Sequence, residues 1–289
     1  MQVVLNGLIA GSAVALLAIA FQIVYLPTRI FFVGLAALYS LAPYVYLAFQ
    51  SASLGQWPST LMTLACIIAL SLAFEWLNHA PLSRRQASDA AHLVSSLGLY
   101  IGLVQIIAIV WGNDLKTIRS GVESTVRLHG IVLASSQLVM AGVSFGLLFG
   151  FYAMLRETGF GLRLRALADN PSQFALFGYN VDAHRLVAFA LAGGFAGTSS
   201  LLTANDIGFS PHAGLQAVLL AVVAVIIGGR TSFVGPLVGG LLVGLMRSEI
   251  TWQYSARWQD VFTFGALAFF LLLRPEGLFG EDRRIEASA

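Results

Sequence analysis

Apolar runs of about eighteen residues or more recur along this chain, and no other feature constrains its fold as strongly. The hydrocarbon core of a bilayer is roughly 30 Å thick, so a helix needs about 20 apolar residues to cross it. Several such runs mark a polytopic helical membrane protein, because in lipid the backbone must satisfy its own hydrogen bonds. A membrane β-barrel is excluded, since its strands alternate apolar with polar residues and these runs do not. The segments fall at about 3–25, 30–49, 56–77, 94–112, 131–155, 186–205, 213–229, 233–246 and 259–274. The expected fold is all-α: an integral membrane helical bundle of about 8–10 transmembrane helices, with residues 1–289 as one transmembrane domain. The first run carries no charged side chain through residue 28 and is too long for a cleaved signal. It reads as the first membrane helix.

Two segments look short or broken. Pro43 falls inside 30–49, and glycines with Pro236 crowd 233–246, so either reads as an interrupted or re-entrant helix. Basic residues set the orientation, because they concentrate in cytoplasmic loops. With nine crossings and the N-terminus outside, Arg29, Arg84, Arg85, Arg156, Arg163, Arg165, Arg185, Arg230, Arg274, Arg283 and Arg284 are cytoplasmic. Lys116, Arg119, Arg127, Arg247 and Arg257 are external. The opposite orientation inverts that ratio, so the C-terminus is expected in the cytoplasm. Glycines four apart recur at Gly7/Gly11, Gly98/Gly102, Gly142/Gly146/Gly150, Gly193/Gly197, Gly235/Gly239 and Gly240/Gly244. This spacing lets membrane helices approach closely.

The motifs that are missing narrow the function. A phosphate-binding loop needs Gly-Lys-Ser/Thr, and the only lysine, Lys116, follows Leu115. His79, His92, His129, His184 and His212 are scattered in or beside loops, and Cys66 sits alone in an apolar run, where it is expected to pack. No catalytic, cofactor-binding or metal-binding residue is assigned, and the chain does not read as an enzyme. The Arg residues lie in short loops without a basic patch, so nucleic acid is not an expected partner. No Asp or Glu falls at the centre of a predicted span, which argues against a carrier driven by its own proton or sodium site.

The only long stretch expected in the cytoplasm is the polar one at residues 156–185. Asn170 suits the cap of a short helix that starts at Pro171, where the missing N–H costs nothing. Gly178 suits its C-terminal stop, and Asp182 reads as the cap of the next membrane helix. A helix this short persists only when packed against something. The stretch "LRLRALADNPSQFALFGYNVDAHRLVAFALAGGFAG", 162–197, resembles the cytoplasmic coupling segment of branched-chain amino acid ABC importer permeases. Arg165, Ala166, Ala175, Gly178, Asn180 and Asp182 match by position. "EWLNHAPLSRR" (75–85), "IIGGRTSFVGPLVGGLLVG" (226–244) and "RPEGLFG" (274–280) resemble further segments of the same family. The chain's length is similar to that of the shorter, LivH-like member of the family's two paired permeases.

The resemblance implies a permease subunit carrying a small polar solute, a branched-chain or other amino acid, across the bacterial inner membrane. The implied partners are a second homologous permease subunit, two cytoplasmic ATPase subunits that bind ATP and Mg, a periplasmic substrate-binding protein and membrane lipid. The ATPase-coupling residues it implies are Arg165, Asp169, Pro171, Phe174, Ala175, Phe177 and Gly178, with Phe174 and Phe177 as apolar anchors. Polar residues inside predicted spans, Gln22, Ser40, Gln105 and Gln216, are the pathway candidates. Lys116, Arg119, Arg127, Arg247 and Arg257 are the candidates for docking the binding protein. The chain departs from the family at residues 32–37, "FVGLAA", where the family usually carries Asn, His and Glu. That departure leaves the solute open. A passive channel for urea or a small amide explains the missing central charges but not the polar segment, and a non-transporting scaffold explains only the glycines.

Overall fold

The computed structural model describes residues 1–118, 124–128, 131–274 and 276–279. Its architecture follows from α1 (Gln2–Thr28), which is apolar on all sides and therefore has no face to give to water. From Gly7 to Pro27 most of it is buried. Around it stand α2 (Gly34–Ser51), α3 (Gln56–Phe74), α5 (Asp89–Trp111), α6 (Ser135–Glu157), α9 (Val181–Ile207), α10 (Ala213–Gly228), α11 (Gly235–Gln253) and α12 (Gln259–Leu273). A π-turn, Glu75–His79, joins α3 to the short α4 (Ala80–Arg84), and a 3-10 turn, Ala256–Trp258, precedes α12. Between α6 and α9 run two short helices, α7 (Gly159–Asp169) and α8 (Pro171–Leu176). The sole sheet among the described residues is an antiparallel pair, β1 (Thr125–Leu128) with β2 (Ile131–Ala134).

The nine expected segments correspond to nine helices, with corrections. Residues 131–134 are a strand, so the fifth helix starts at Ser135. Pro43 lies inside an unbroken α2, and Pro236 sits in the first turn of α11 rather than within it. A first-turn proline loses no intrahelical hydrogen bond, which is why Pro236 starts a helix. Six of the helical stretches are long and apolar enough to cross a bilayer: Gln2–Thr28, Gln56–Arg84, Asp89–Trp111, Ser135–Glu157, Val181–Ile207 and Ala256–Leu273. The expected 8–10 crossings are reached only by adding α2, α10 and α11, which are shorter or less apolar. With 16 residues, α10 spans about 24 Å at 1.5 Å per residue.

Close backbone approach holds the bundle together. A β-carbon added at Gly244 would overlap the Gly11 backbone, and one at Gly240 would overlap Ala15, so α1 and α11 touch main chain to main chain. Gly193 of α9 lies against Ser71 of α3, whose Oγ donates to the Phe189 carbonyl at 2.7 Å. Gly228 and Gly235 pack α10 against the start of α11. The loop between them is tied from inside: Gln22 Nε2 donates to the carbonyls of Arg230 (2.8 Å) and Ser232 (3.1 Å). Segment 276–279 finishes the job. Leu278 N–H donates to the Ile227 carbonyl and Phe279 N–H to the Gly228 carbonyl, both at 2.9 Å, where α10 would otherwise leave carbonyls unpaired. Gly277 adopts φ 78 against Gly229, a left-handed conformation in a space with no room for a side chain.

The two ends of the bundle differ. At one end gather the C-termini of α1 and α6, the α4–α5 turn, α7, α8, the α10–α11 loop and residues 276–279. At the other lie the N-termini of α1, α6 and α12 and the C-termini of α9 and α11.

Candidate functional site

At the end away from α7 and α8, helices α1, α2, α6, α9, α10 and α11 enclose a cavity of about 620 Å³. Its walls are apolar, with Ile9, Ala13, Leu17, Met140 and Leu220 among them. Hydroxyl-bearing residues, Tyr39, Ser40, Ser200 and Thr203 among them, also line it. Two of them brace neighbouring helices: Ser200 Oγ donates to the Tyr39 carbonyl (2.5 Å) and Ser40 Oγ accepts the Gly214 N–H (3.1 Å), while Thr203 Oγ1 bonds back to the Ser199 carbonyl of its own helix (2.9 Å). Further polar lining comes from Asn6, Gln137, Asp206, Arg247 and Gln259. Arg247 is spoken for, with Nη1 2.8 Å from Asp260 Oδ1 and Nη2 2.8 Å from Gln259 Oε1. Asn6 Oδ1 is buried with no hydrogen-bond partner among the described residues. A cavity of this size, mostly apolar with a few fixed polar groups, is suited to a small solute with both characters.

Of the four pathway candidates, the structure brings Ser40 and Gln216 together here; Gln216 Nε2 donates to Asp260 Oδ2 at 3.1 Å. Gln22 lies toward the opposite end, holding the α10–α11 loop, and Gln105 sits on an exposed face of α5.

The polar segment 156–185 folds much as its caps predict. Thr158 caps α7, accepting the Gly161 N–H. Asn170 Oδ1 accepts the N–H groups of Ser172 and Gln173, both at 3.1 Å, so α8 starts at Pro171. Gly178 at φ 81 turns the chain out of it. The cap of α9 is Asn180, which accepts the Ala183 N–H at 3.0 Å, and not Asp182; Asp182 sits in the first turn and pairs with Arg84 at 3.4 Å. The two expected apolar anchors also part company. Phe174 is 3% exposed, its ring stacked on Tyr179 (5.0 Å) and edge-on to His184 (5.0 Å). Phe177 is 80% exposed, and so is its neighbour Leu176 at 86%. In a six-residue helix only one face can turn inward, and Phe174 takes it. Ala175 is on the exposed side. Arg165 and Asp169 line a second cavity of about 450 Å³, with Arg156, Thr231 and Phe279.

Comparison with known proteins decides what kind of machine this is. The family described as "Branched-chain amino acid transport system / permease component" matches residues 3–271. The chain belongs to this family. It is 26% identical to the high-affinity branched-chain amino acid transport permease BraD of Pseudomonas aeruginosa, covering 97% of this chain and 95% of that one. It is 24% identical to LivH of Escherichia coli K12 with the same coverage. The xylose transport permease XylH of the same organism is 27% identical over 68% of this chain and 60% of its own. The solved PsaBC from Streptococcus pneumoniae, in complex with a Fab, shares the fold with a TM-score of 0.52 at 13% identity, covering 93% of this chain and 91% of that one.

As a permease of this family, the chain is the non-catalytic transport subunit of an ABC importer, and ATPase activity lies in partner subunits. It is a multi-pass membrane protein, and the family implies ATPase and binding-protein partners. Among the docking candidates, Arg257 is exposed, Arg247 is engaged with Asp260, and Lys116 holds its Nζ 5.9 Å over the Tyr44 ring while its backbone pairs with Phe209. Arg119 and the Arg127 side chain lie outside the described residues.

The structure departs from the sequence expectations in two further places. Cys66 faces outward from α3 instead of packing inside. Glu75 and Arg185, 110 residues apart, meet at 2.8 Å in a buried ion pair, and the histidines His79 and His92, read as scattered, lie with their Nδ1 atoms 3.2 Å apart beside it. Only the polarity of Glu75 at a span end hinted at the ion pair.

Proposed function

We propose that the 620 Å³ cavity is the outward-facing station of the translocation pathway, and that the solute is a small amino acid of the branched-chain kind. The observation that carries this is the cavity's mixed lining, aliphatic walls beside the hydroxyls of Tyr39, Ser40, Ser200 and Thr203, at the end opposite the coupling segment. An aliphatic side chain has Leu17, Met140 and Leu220 to contact, while the polar head meets hydroxyls and amides. The orientation in this reading puts the N-terminus outside and α7–α8 in the cytoplasm, because Arg84, Arg156, Arg163, Arg165, Arg185 and Arg230 all lie at that end. There α8 seats on an ATPase subunit through Leu176 and Phe177, the exposed apolar pair, with Phe174 as the internal strut that holds α8 in place. A second homologous permease completes the membrane unit, and Arg257 faces the binding protein.

Reconstitution of the permease with its ATPases, partner permease and binding protein in vesicles tests the reading. ATP-dependent leucine uptake, lowered about tenfold by Ser200→Leu in the cavity wall, is the expected result. Uptake of xylose but not leucine would move the solute class to sugars, which the similarity to a xylose permease favours as the second reading. Solute flux without ATP would make the chain a passive facilitator and overturn the proposal.

A further inference from the structure

Arg185 sits in the second turn of α9, just after the coupling segment, and reaches back to the π-turn that ends α3. Its Nε lies 2.8 Å from Glu75 Oε1, and the two side chains are 12% and 2% exposed. The nearby Arg84–Asp182 pair, at 3.4 Å, is 71% and 60% exposed and is correspondingly weak. The buried pair is costly to desolvate and costlier to break from one side, since that strands a charge. It is also not isolated. From the same π-turn, Asn78 Oδ1 accepts the Ser95 hydroxyl at 2.5 Å, and His79 meets His92, so α5 is joined to it. One turn further, Ser96 Oγ accepts the Gly34 N–H at 2.7 Å, at the start of α2. Helix α2 carries Tyr39 and Ser40 to the cavity, where Ser200 of α9 grips the Tyr39 carbonyl. These polar bonds, joined by the backbone of the π-turn, α5 and α2, link the start of α9 to the cavity lining.

We infer that Glu75 and Arg185 form the strut that makes the π-turn and α4 move with α8, so that ATPase-driven displacement reaches α5 and α2 instead of passing along α9 alone. This rests on the reading of α8 as the ATPase seat. Three observations place the strut at a working joint and not merely in a core. A π-turn, where helical hydrogen bonds change register, is frequent at functional sites. Glu75 Oε2, Asn78 Nδ2, His79 Nε2 and Arg185 Nη2 are all buried there without partners among the described residues, leaving the cluster unspent bonds for a second arrangement. And Ser71 of α3, one turn before Glu75, packs against Gly193 of α9, so the strut stands beside a close contact between the same two helices.

The test uses the complete transporter with spin labels at Leu77 on the π-turn, Gln173 on α8 and Leu272 on α12, all exposed positions. On ATP binding the Gln173–Leu272 distance is expected to change, while Gln173–Leu77 stays constant within about 2 Å, the reach of ordinary helix shifts. In Glu75→Gln, Gln173–Leu77 is expected to change, and solute moved per ATP to fall about tenfold with ATPases still bound; Glu75→Asp is expected to recover most of the ratio. A changing Gln173–Leu77 distance in the unmutated transporter overturns the strut whether or not Glu75→Gln assembles. An unchanged Gln173–Leu272 distance overturns the coupling reading of α8, and the strut with it. Wild-type stoichiometry in Glu75→Gln also overturns the strut.

Discussion

Gly240 and Gly244 of α11 and Gly142, Gly146 and Gly150 of α6 have the same spacing and opposite surroundings. In the first set, any β-carbon would collide with the backbone of α1. Around the second set, as around Gly98 and Gly102 of α5, no described atom lies within 4 Å of where a β-carbon would be. The lesson is that small-residue spacing states what a helix face permits, and the fold decides which faces use it. The α1–α11 seam spends its glycines inside the chain, whereas α5 and α6 keep theirs outside. Phe174 and Phe177 repeat the contrast three residues apart in and just after α8, one buried, one bare.

Five substitutions sharpen or break this contrast. Gly244→Leu drives a side chain into the α1 main chain, so a loss of about 4 kcal/mol or more is expected, the range reserved for severe core disruption. Thermal unfolding in detergent, followed by size-exclusion profile, checks it; a normal profile would remove the seam as the chain's main joint. Phe174→Ala comes next, with a loss of about 3 kcal/mol typical of truncating a buried aromatic, while Phe177→Ala shifts stability by no more than about 0.5 kcal/mol. In the assembled transporter the order inverts. There Phe177→Ala weakens ATPase retention by about 2 kcal/mol, as for an interface anchor, and co-purification under graded detergent reads it. Equal stability losses for the two would end the distinction. Asn170→Ala removes the acceptor for the Ser172 and Gln173 N–H groups, at a cost of about 1 kcal/mol; denaturation midpoints and proteolysis near residue 171 report it. Gly146→Leu is the smallest effect expected, within about 0.5 kcal/mol for the single chain. A loss comparable to Gly244→Leu would show that α6 packs within the chain after all.

Some of the polar segment between α6 and α9 was legible because capping is local. Asn170, Pro171 and Gly178 act on backbone groups two or three residues away, so their roles can be read from order in the sequence. The cap of α9 was misplaced by two residues since Asn180 and Asp182 are both good acceptors; only the distance from Asn180 to the Ala183 N–H separates them. The cavity was legible only in part. Ser40 and Gln216 stood out as polar residues in apolar spans, but Gln22 and Gln105 stood out equally, and composition carries no information on which side of a helix faces a void. Serines and threonines such as Ser200 and Thr203 were passed over because they are ordinary in membrane helices, where they bond to their own or a neighbouring backbone.

The sequence by itself determined the membrane class, the helical build, the family and the polar segment between α6 and α9. Each rests on a property additive along the chain: apolar length against bilayer thickness, local capping, or motif order. Tertiary structure alone decided which glycines touch backbone, which phenylalanine is buried, and how residues 276–279 close α10. It alone decided, too, that Glu75 meets Arg185 across 110 positions. Those depend on helix rotation and depth, set by the packing of every helix against α1, and a one-dimensional pattern does not contain them.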